Sequence, residues 1–287
     1  MFFDAQKLCQ KLISYCFLAA FSSTVFAAPG LFWKAESPTN NTIYLFGTIH
    51  TDDNRVTDFS PALIASLKSV DAFMMEVDAP KDASVLMMSD ANLQTILTQS
   101  ELDKVDALAE FHVMPRDAAL RTKPWLLAVV FDAARPITPF AQDNLLMRLA
   151  EDFGKEVISI ETAAEHFSVM DNLSIDEQLI FLRAVLKRSA QAKERDYERL
   201  IQTYLTGDSE KLTALNSKMM AKMLPASLWA RMRRQLLDER NAVMAARVLD
   251  AAKNKSLFVA VGASHLAGKN GLIASLKQAG YQLTIVK

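Results

Sequence analysis

The chain has 287 residues, 51% hydrophobic and 23% charged, with only 8 Gly and 9 Pro. That is ample apolar material for a packed core, and it excludes disordered, collagen-like and disulfide-scaffold classes. Lys and Arg number 32 against 33 Asp and Glu, so there is no basic footprint for nucleic acid.

Residues 1–28 are predicted to be a signal peptide. Lys7 and Lys11 form a basic start, residues 12–21 a short apolar stretch, and Val25-Phe26-Ala27 a small-residue cleavage site. The expected location is therefore the periplasm or the exterior, with no membrane span left after cleavage. The only two cysteines, Cys9 and Cys16, lie in this leader. The mature chain would then carry no disulfide and no thiolate site, and would depend on core packing.

Residues 29–287 are expected to form one α/β domain. Thr42-Ile43-Tyr44-Leu45-Phe46 reads as a first strand and ends at Gly47. Residues 61–69 read as a helix, and Ala72-Phe73-Met74-Met75-Glu76-Val77 as a second strand. A helical block at about 84–135 leads to a third strand at Val157-Ile158-Ser159-Ile160. Residues 175–252 then carry mixed charged and apolar residues without a strand signal, the pattern of a large helical insertion. Leu257-Phe258-Val259-Ala260-Val261 is a fourth strand, ending at Gly262. A helix over 266–279 and a last strand at 282–286 close the chain. Short apolar runs without polar alternation mark strands covered on both faces, so the fold class is α/β, with a mostly parallel central sheet and helices on both faces.

Of four histidines, two share a context. Phe46-Gly47-Thr48-Ile49-His50 and Val261-Gly262-Ala263-Ser264-His265 both read strand, glycine, two residues, histidine. Glycine at a strand end permits close backbone approach, and the imidazole is then carried on a loop at the carboxyl end of the strand. The other two internal strands end at Glu76 and Glu161. If these four strands are parallel and adjacent, two imidazoles and two carboxylates meet along one edge. His50, His265, Glu76 and Glu161 are thus the candidate ligands of a divalent metal ion, Mn, Co or Zn, able to activate water. Asp52 and Asp53 are candidates to support His50 or to act as additional ligands. His112 and His166 read as surface or core histidines on helices, and the methionines as core filler.

These motifs, with Met75-Glu76-Val77-Asp78, Ile160-Glu161-Thr162 and Arg240-Asn241, resemble those of the TraB/GumN family, which includes the Tiki metalloproteases. Lys123-Pro124-Trp125 and Gln142-Asp143 resemble weaker midchain marks of that family. The resemblance implies a metal-dependent hydrolase, most concretely a peptidase acting on a peptide or protein. His50, His265 and Glu76 would form its site, with Glu76 a ligand or general base and Arg240, with Asn241, supporting it. Ser264, Gln142 and His166 depart from the family pattern. The same histidines would also serve a non-catalytic periplasmic binding protein for a peptide, haem or a metal.

Overall fold

The computed structural model describes residues 30–286 apart from 79, 81, 90 and 139. The predicted leader and both cysteines lie outside the described residues. The strands are β1 (Phe32–Glu36), β2 (Ile43–Thr48), β3 (Ala72–Met75), β4 (Glu156–Ser159), β5 (Leu257–Gly262) and β6 (Gln282–Ile285). They form one sheet in the order β4-β3-β5-β2-β1-β6. The pairs β2–β5, β5–β3 and β3–β4 are parallel, as expected. β1 runs antiparallel to both β2 and β6. It escapes a reading by apolar runs because Lys34 interrupts its five residues.

The first helices are α1 (Asn54–Thr57), α2 (Pro61–Ser69), α3 (Gln99–Phe111), α4 (Arg116–Arg121) and α5 (Pro124–Asp132). Next come α6 (Gln142–Asp152), α7 (Ala163–Asp171), α8 (Ile175–Leu186) and α9 (Ala190–Leu205). The last are α10 (Ser209–Met223), α11 (Ala226–Arg233), α12 (Arg240–Ala252) and α13 (Leu272–Gln278). Reciprocal caps define the starts of several of them. Ser174 accepts from the Glu177 amide while the Glu177 carboxylate accepts from the Ser174 amide, which satisfies two free donors at the start of α8.

The period-two alternation of the strands sends residues to two separate cores. Ile43, Leu45, Met74, Val259 and Val261 pack against α12 and α13 through Met244, Val248, Leu272 and Leu276. Phe46, Phe73, Met75 and Phe258 pack on the other face against Leu63 and Leu67 of α2 and Leu146 of α6. Phe258 and Phe73 are fully buried with ring centroids 6.1 Å apart. Each such side chain contributes about 1.5–3 kcal/mol through burial.

A third core lies within the helices. Leu120 of α4 and Leu127 and Phe131 of α5 share it with Leu182 and Val185 of α8 and Met232 of α11. Thus the helical stretches on either side of β4 close on one another, while α12 returns to the sheet. The helix expected over 266–279 begins at Leu272, because a tight 3₁₀ turn at Ala263–His265 and a loop precede it. A small fourth cluster of Val56, Ile201, Tyr204, Leu212 and Ala263 joins α1, α9 and α10 to that turn. It seats the helical layer on the carboxyl edge of the sheet.

Candidate active site

Parallel strands deliver their carboxyl ends to one edge, and here the register makes neighbours of the two glycine–histidine motifs. Gly47 pairs with Val261 and Thr48 with Gly262. A Cβ on Gly47 would lie 3.0 Å from both Ala263 Cα and Leu266 Cδ2. A side chain there would push the 263–265 turn away by a few tenths of an ångström, and glycine lets the β2 exit lie directly against it. On the other side, the β3–β4 ladder continues beyond its strands: Ile160 N–H donates to Met75 O and Glu161 N–H to Glu76 O, each at 2.8 Å. That pairing holds the two glutamates side by side.

Glu76 is the hub. Its Oε1 accepts from Gly262 N–H at 2.7 Å and lies 3.6 Å from His265 Nε2. Its Oε2 accepts from Arg240 Nη2 at 2.6 Å. His265, only 5% exposed, donates from Nδ1 to Asn241 Oδ1 at 2.6 Å, since an amide oxygen can only accept. This bond leaves the lone pair on Nε2, the nitrogen nearest Glu76.

Arg240 and Asn241 come from adjacent positions at the start of α12, yet serve opposite sides of Glu76. The segment before them, Arg234–Glu239, is π-helical. Such a turn shifts the phase of the residues that follow and is frequent beside functional sites. Arg240 Nε reaches Glu161 Oε1 and Oε2 at 3.0 and 3.1 Å, and Nη2 reaches Glu161 Oε2 at 2.7 Å. Nη2 also lies 3.0 Å from His166 Nδ1, which is 3.2 Å from Glu161 Oε2 and with a proton on Nδ1 donates to that carboxylate. His166 follows Glu165, whose carboxylate completes the cap of α7 with Thr162, so helix phase brings its ring back toward Glu161.

Glu76, Glu161 and His166 each offer one ligand atom, all within 4.8 Å of one another. This is a donor set suited to a divalent ion. Arg240 Nη2 already lies among the same three residues, and its positive charge does there what a cation would do. On the far side of Glu76, His265 is the facing donor. Two ligands about 2.1 Å from a shared tetrahedral ion lie about 3.4 Å apart. The 3.6 Å between His265 Nε2 and Glu76 Oε1 fits that spacing. These two donors have the spacing of neighbours on a shared ion, whereas the three donors within 4.8 Å of one another are Glu76, Glu161 and His166.

His50 stands at the outer side of this cluster. Its side chain is 81% exposed, and its Nδ1 contacts Asp143 Oδ2 at 2.9 Å. That hydrogen bond raises its pKa, and the charges of Asp143 and Glu76 add to the rise. The loop carrying it is held from below by Gln142, 1% exposed, whose Oε1 accepts from Ile49 N–H and whose Nε2 donates to Val56 O. Tyr204 OH donates to Gly47 O at 2.7 Å. Asp52 and Asp53 are engaged elsewhere. Asp52 accepts from the Ile137 and Thr138 amides, and Asp53 caps α1 and binds Arg55 and Tyr197.

Burial alone would raise the Glu76 carboxyl, but the charge of Arg240 and the hydrogen bond from the Gly262 amide hold it below the ordinary carboxylate range. Glu161 is likewise depressed, its burial offset by hydrogen bonds from His166 and Arg240. Burial lowers the His265 pKa and so favours the neutral imidazole. The site at neutral pH is thus two ionised carboxylates, a guanidinium and a neutral histidine with its lone pair available.

Among residues singled out in the sequence, Glu76, Glu161, Arg240 and His265 come together directly, and His50 lies beside them on Asp143. His166 was read as a bland helix residue; its spacing of five from Glu161 across a capping box was the available signal. Gln142 and Tyr204 carried no motif that ties them to the site.

The profile of the TraB/PrgY/gumN family matches residues 31–285. Metalloprotease TIKI2 of Danio rerio is 24% identical over 298 residues, covering 84% of this chain and 57% of that protein. Metalloprotease TIKI2 of Xenopus tropicalis is 25% identical over 298 residues, with the same coverage of each chain. Metalloprotease TIKI1 of Danio rerio is 23% identical over 296 residues, covering 84% and 60%. The chain therefore spans somewhat over half the length of these relatives. No solved structure matches it. With a match that runs from β1 to β6 and includes every residue of the site, the chain belongs to the TraB/PrgY/gumN family.

Proposed function

We propose that this protein is an exported, metal-dependent hydrolase that cleaves peptide bonds in a peptide or protein substrate. The observation that carries the reading is the facing pair of His265 Nε2 and Glu76 Oε1, 3.6 Å apart, with the His265 tautomer set by Asn241. The names of the relatives, all metalloproteases, point to the same chemistry. His265, Glu76 and His50 would hold the ion. When bound, such an ion polarises a scissile carbonyl and makes water nucleophilic at neutral pH.

The chain's own residues have distinct tasks in this reading. Arg240 keeps Glu76 and Glu161 ionised and in place by charge-assisted hydrogen bonds. Gly262 N–H fixes the Glu76 oxygen nearest His265. Asn241 and Asp143 orient the two imidazoles through Nδ1, the usual support for a metal-binding histidine. Export rests on the predicted leader. Among the described residues, no helix is long and apolar enough to cross a membrane.

The test is metal analysis and cleavage of a peptide library by washed protein resupplied with Mn²⁺, Co²⁺ or Zn²⁺. The expected result is stoichiometric ion and product beyond one equivalent per chain, both lost in the His50→Ala/His265→Ala variant with its fold intact. Wild-type metal content and cleavage in that variant would end the reading.

A further inference from the structure

Away from the sheet edge, helices α8 and α10, with Ala192, Asp196 and Arg199 of α9, line a groove of about 750 Å³. Two stripes on each helix build it. On α8, Ile180 and Ala184 are four residues apart and face the groove beside Arg183 and Lys187. On α10, Leu215, Met219 and Met223 repeat every four residues beside Lys218 and Lys222. Residues four apart share a helix face, so both helices present an apolar floor strip next to a basic rim strip. Ile180 is 40% exposed, and Leu215, Met219 and Met223 are only partly buried.

The charges in this groove are unequal. Arg188 is held by Asp132 and Asp196, each at 2.5 Å, and Arg183 by Glu101 at 2.8 Å. Lys187, Lys218 and Lys222 are exposed, and among the described residues none has a carboxylate partner in an ion pair. Asp196 is the sole carboxylate in the groove lining, and it is already bound to Arg188. An apolar floor with adaptable methionines between lysine rims has the form that accepts an amphipathic helix, and its charge demands an acidic one.

We propose that this groove docks an acidic amphipathic helix of a partner protein. Apolar residues at i, i+3, i+4 and i+7 of that helix would cover the floor, and its Glu or Asp residues would meet Lys187, Lys218 and Lys222. A concave floor among three helices suits a helix face better than a flat anionic bilayer. The groove also shares α10 with the candidate site. Leu212 of that helix packs on Ala263, and Glu210 accepts from Gly268 N–H at 2.7 Å. A docked helix would thus sit on the element that supports the His265 turn.

Fluorescence anisotropy with the mature chain tests this. The probe is a labelled helix-forming peptide of roughly 18 residues, Leu on one face and Glu elsewhere, and its twin carries Lys for every Glu. At low salt the Glu peptide is expected to bind at least about tenfold more tightly than the Lys twin. Lys187→Glu/Lys218→Glu/Lys222→Glu should remove that preference, whereas Lys253→Glu at the end of α12 should leave it intact. Chelator and the His50→Ala/His265→Ala variant should not alter binding, so this proposal and the metallohydrolase reading fail separately. Equal binding of the two peptides, or wild-type affinity in the triple variant, would overturn it. Binding to phosphatidylglycerol vesicles without binding to the peptide would also overturn it and assign the patch to a membrane surface.

Discussion

Asn241 and His265 are joined by a 2.6 Å hydrogen bond between two buried side chains, and this bond decides which imidazole nitrogen faces Glu76. Removing it frees the ring to rotate and to place its proton on either nitrogen. Asn241→Ala is expected to weaken divalent-ion affinity by about 10–100-fold, measured by competition with a chromogenic chelator. Unchanged affinity would show that the tautomer is set by something else.

Arg240 is the counter-charge for two carboxylates whose side chains are 20% and 3% exposed. Taking away one partner of a buried ion pair strands the other charge, at a cost of about 3–5 kcal/mol. Arg240→Met should therefore lower the thermal midpoint by roughly 6–20 °C in a melt followed by circular dichroism. Adding Glu161→Leu to that variant should restore part of the loss. A double variant less stable than Arg240→Met would contradict this assignment.

Gly47 is needed for approach and not for a special backbone angle, because its φ lies outside the positive region. Gly47→Ala would force backbone atoms of the 263–265 turn to move. The expected stability loss is about 1–3 kcal/mol by denaturant titration, as for other overpacked sites. Metal affinity should fall with it, since the displaced turn carries His265. A destabilised variant with wild-type metal binding would separate the packing from the site.

Glu101 joins α3 to α8 through Arg183 and caps its own helix. The Arg183 hydrogen bond holds its pKa below the ordinary 4.5, against a smaller opposing effect of burial. A depressed folded-state pKa contributes stability above the unfolded value, and that contribution fades as pH falls from about 4.5 through the folded value. The stability difference between wild type and Glu101→Gln should be constant above about pH 6 and shrink on acidification below 4.5. A difference that grew on acidification would have the wrong sign.

The strands β2, β3 and β5 were legible because each is an apolar run covered on both faces, and β4, a partly exposed edge strand, through its Val157-Ile158 pair. β1 was not, because Lys34 breaks a five-residue strand that pairs antiparallel with β2 and with the distant β6. The two glycine–histidine motifs located the edge of the sheet correctly. They could not show that His265 is buried while His50 stands open to solvent, since that depends on how α9, α10 and α12 close over the edge. His166 lay hidden for a similar reason: its helix buries only Met170 fully, and only the position of Arg240 makes His166 part of the cluster. The π-helical phase shift ahead of Arg240 is set by packing and leaves no local signal in Arg234–Glu239. The pairing of the two helical blocks into one core was equally invisible, as amphipathic helices do not name their partners.

Anomalous diffraction from crystals grown with Zn²⁺ tests the central claim most directly. The expected result is a single strong peak within about 2.0–2.2 Å of both His265 Nε2 and a Glu76 oxygen. A peak among Glu161, His166 and a displaced Arg240, or none near Glu76, would contradict the account.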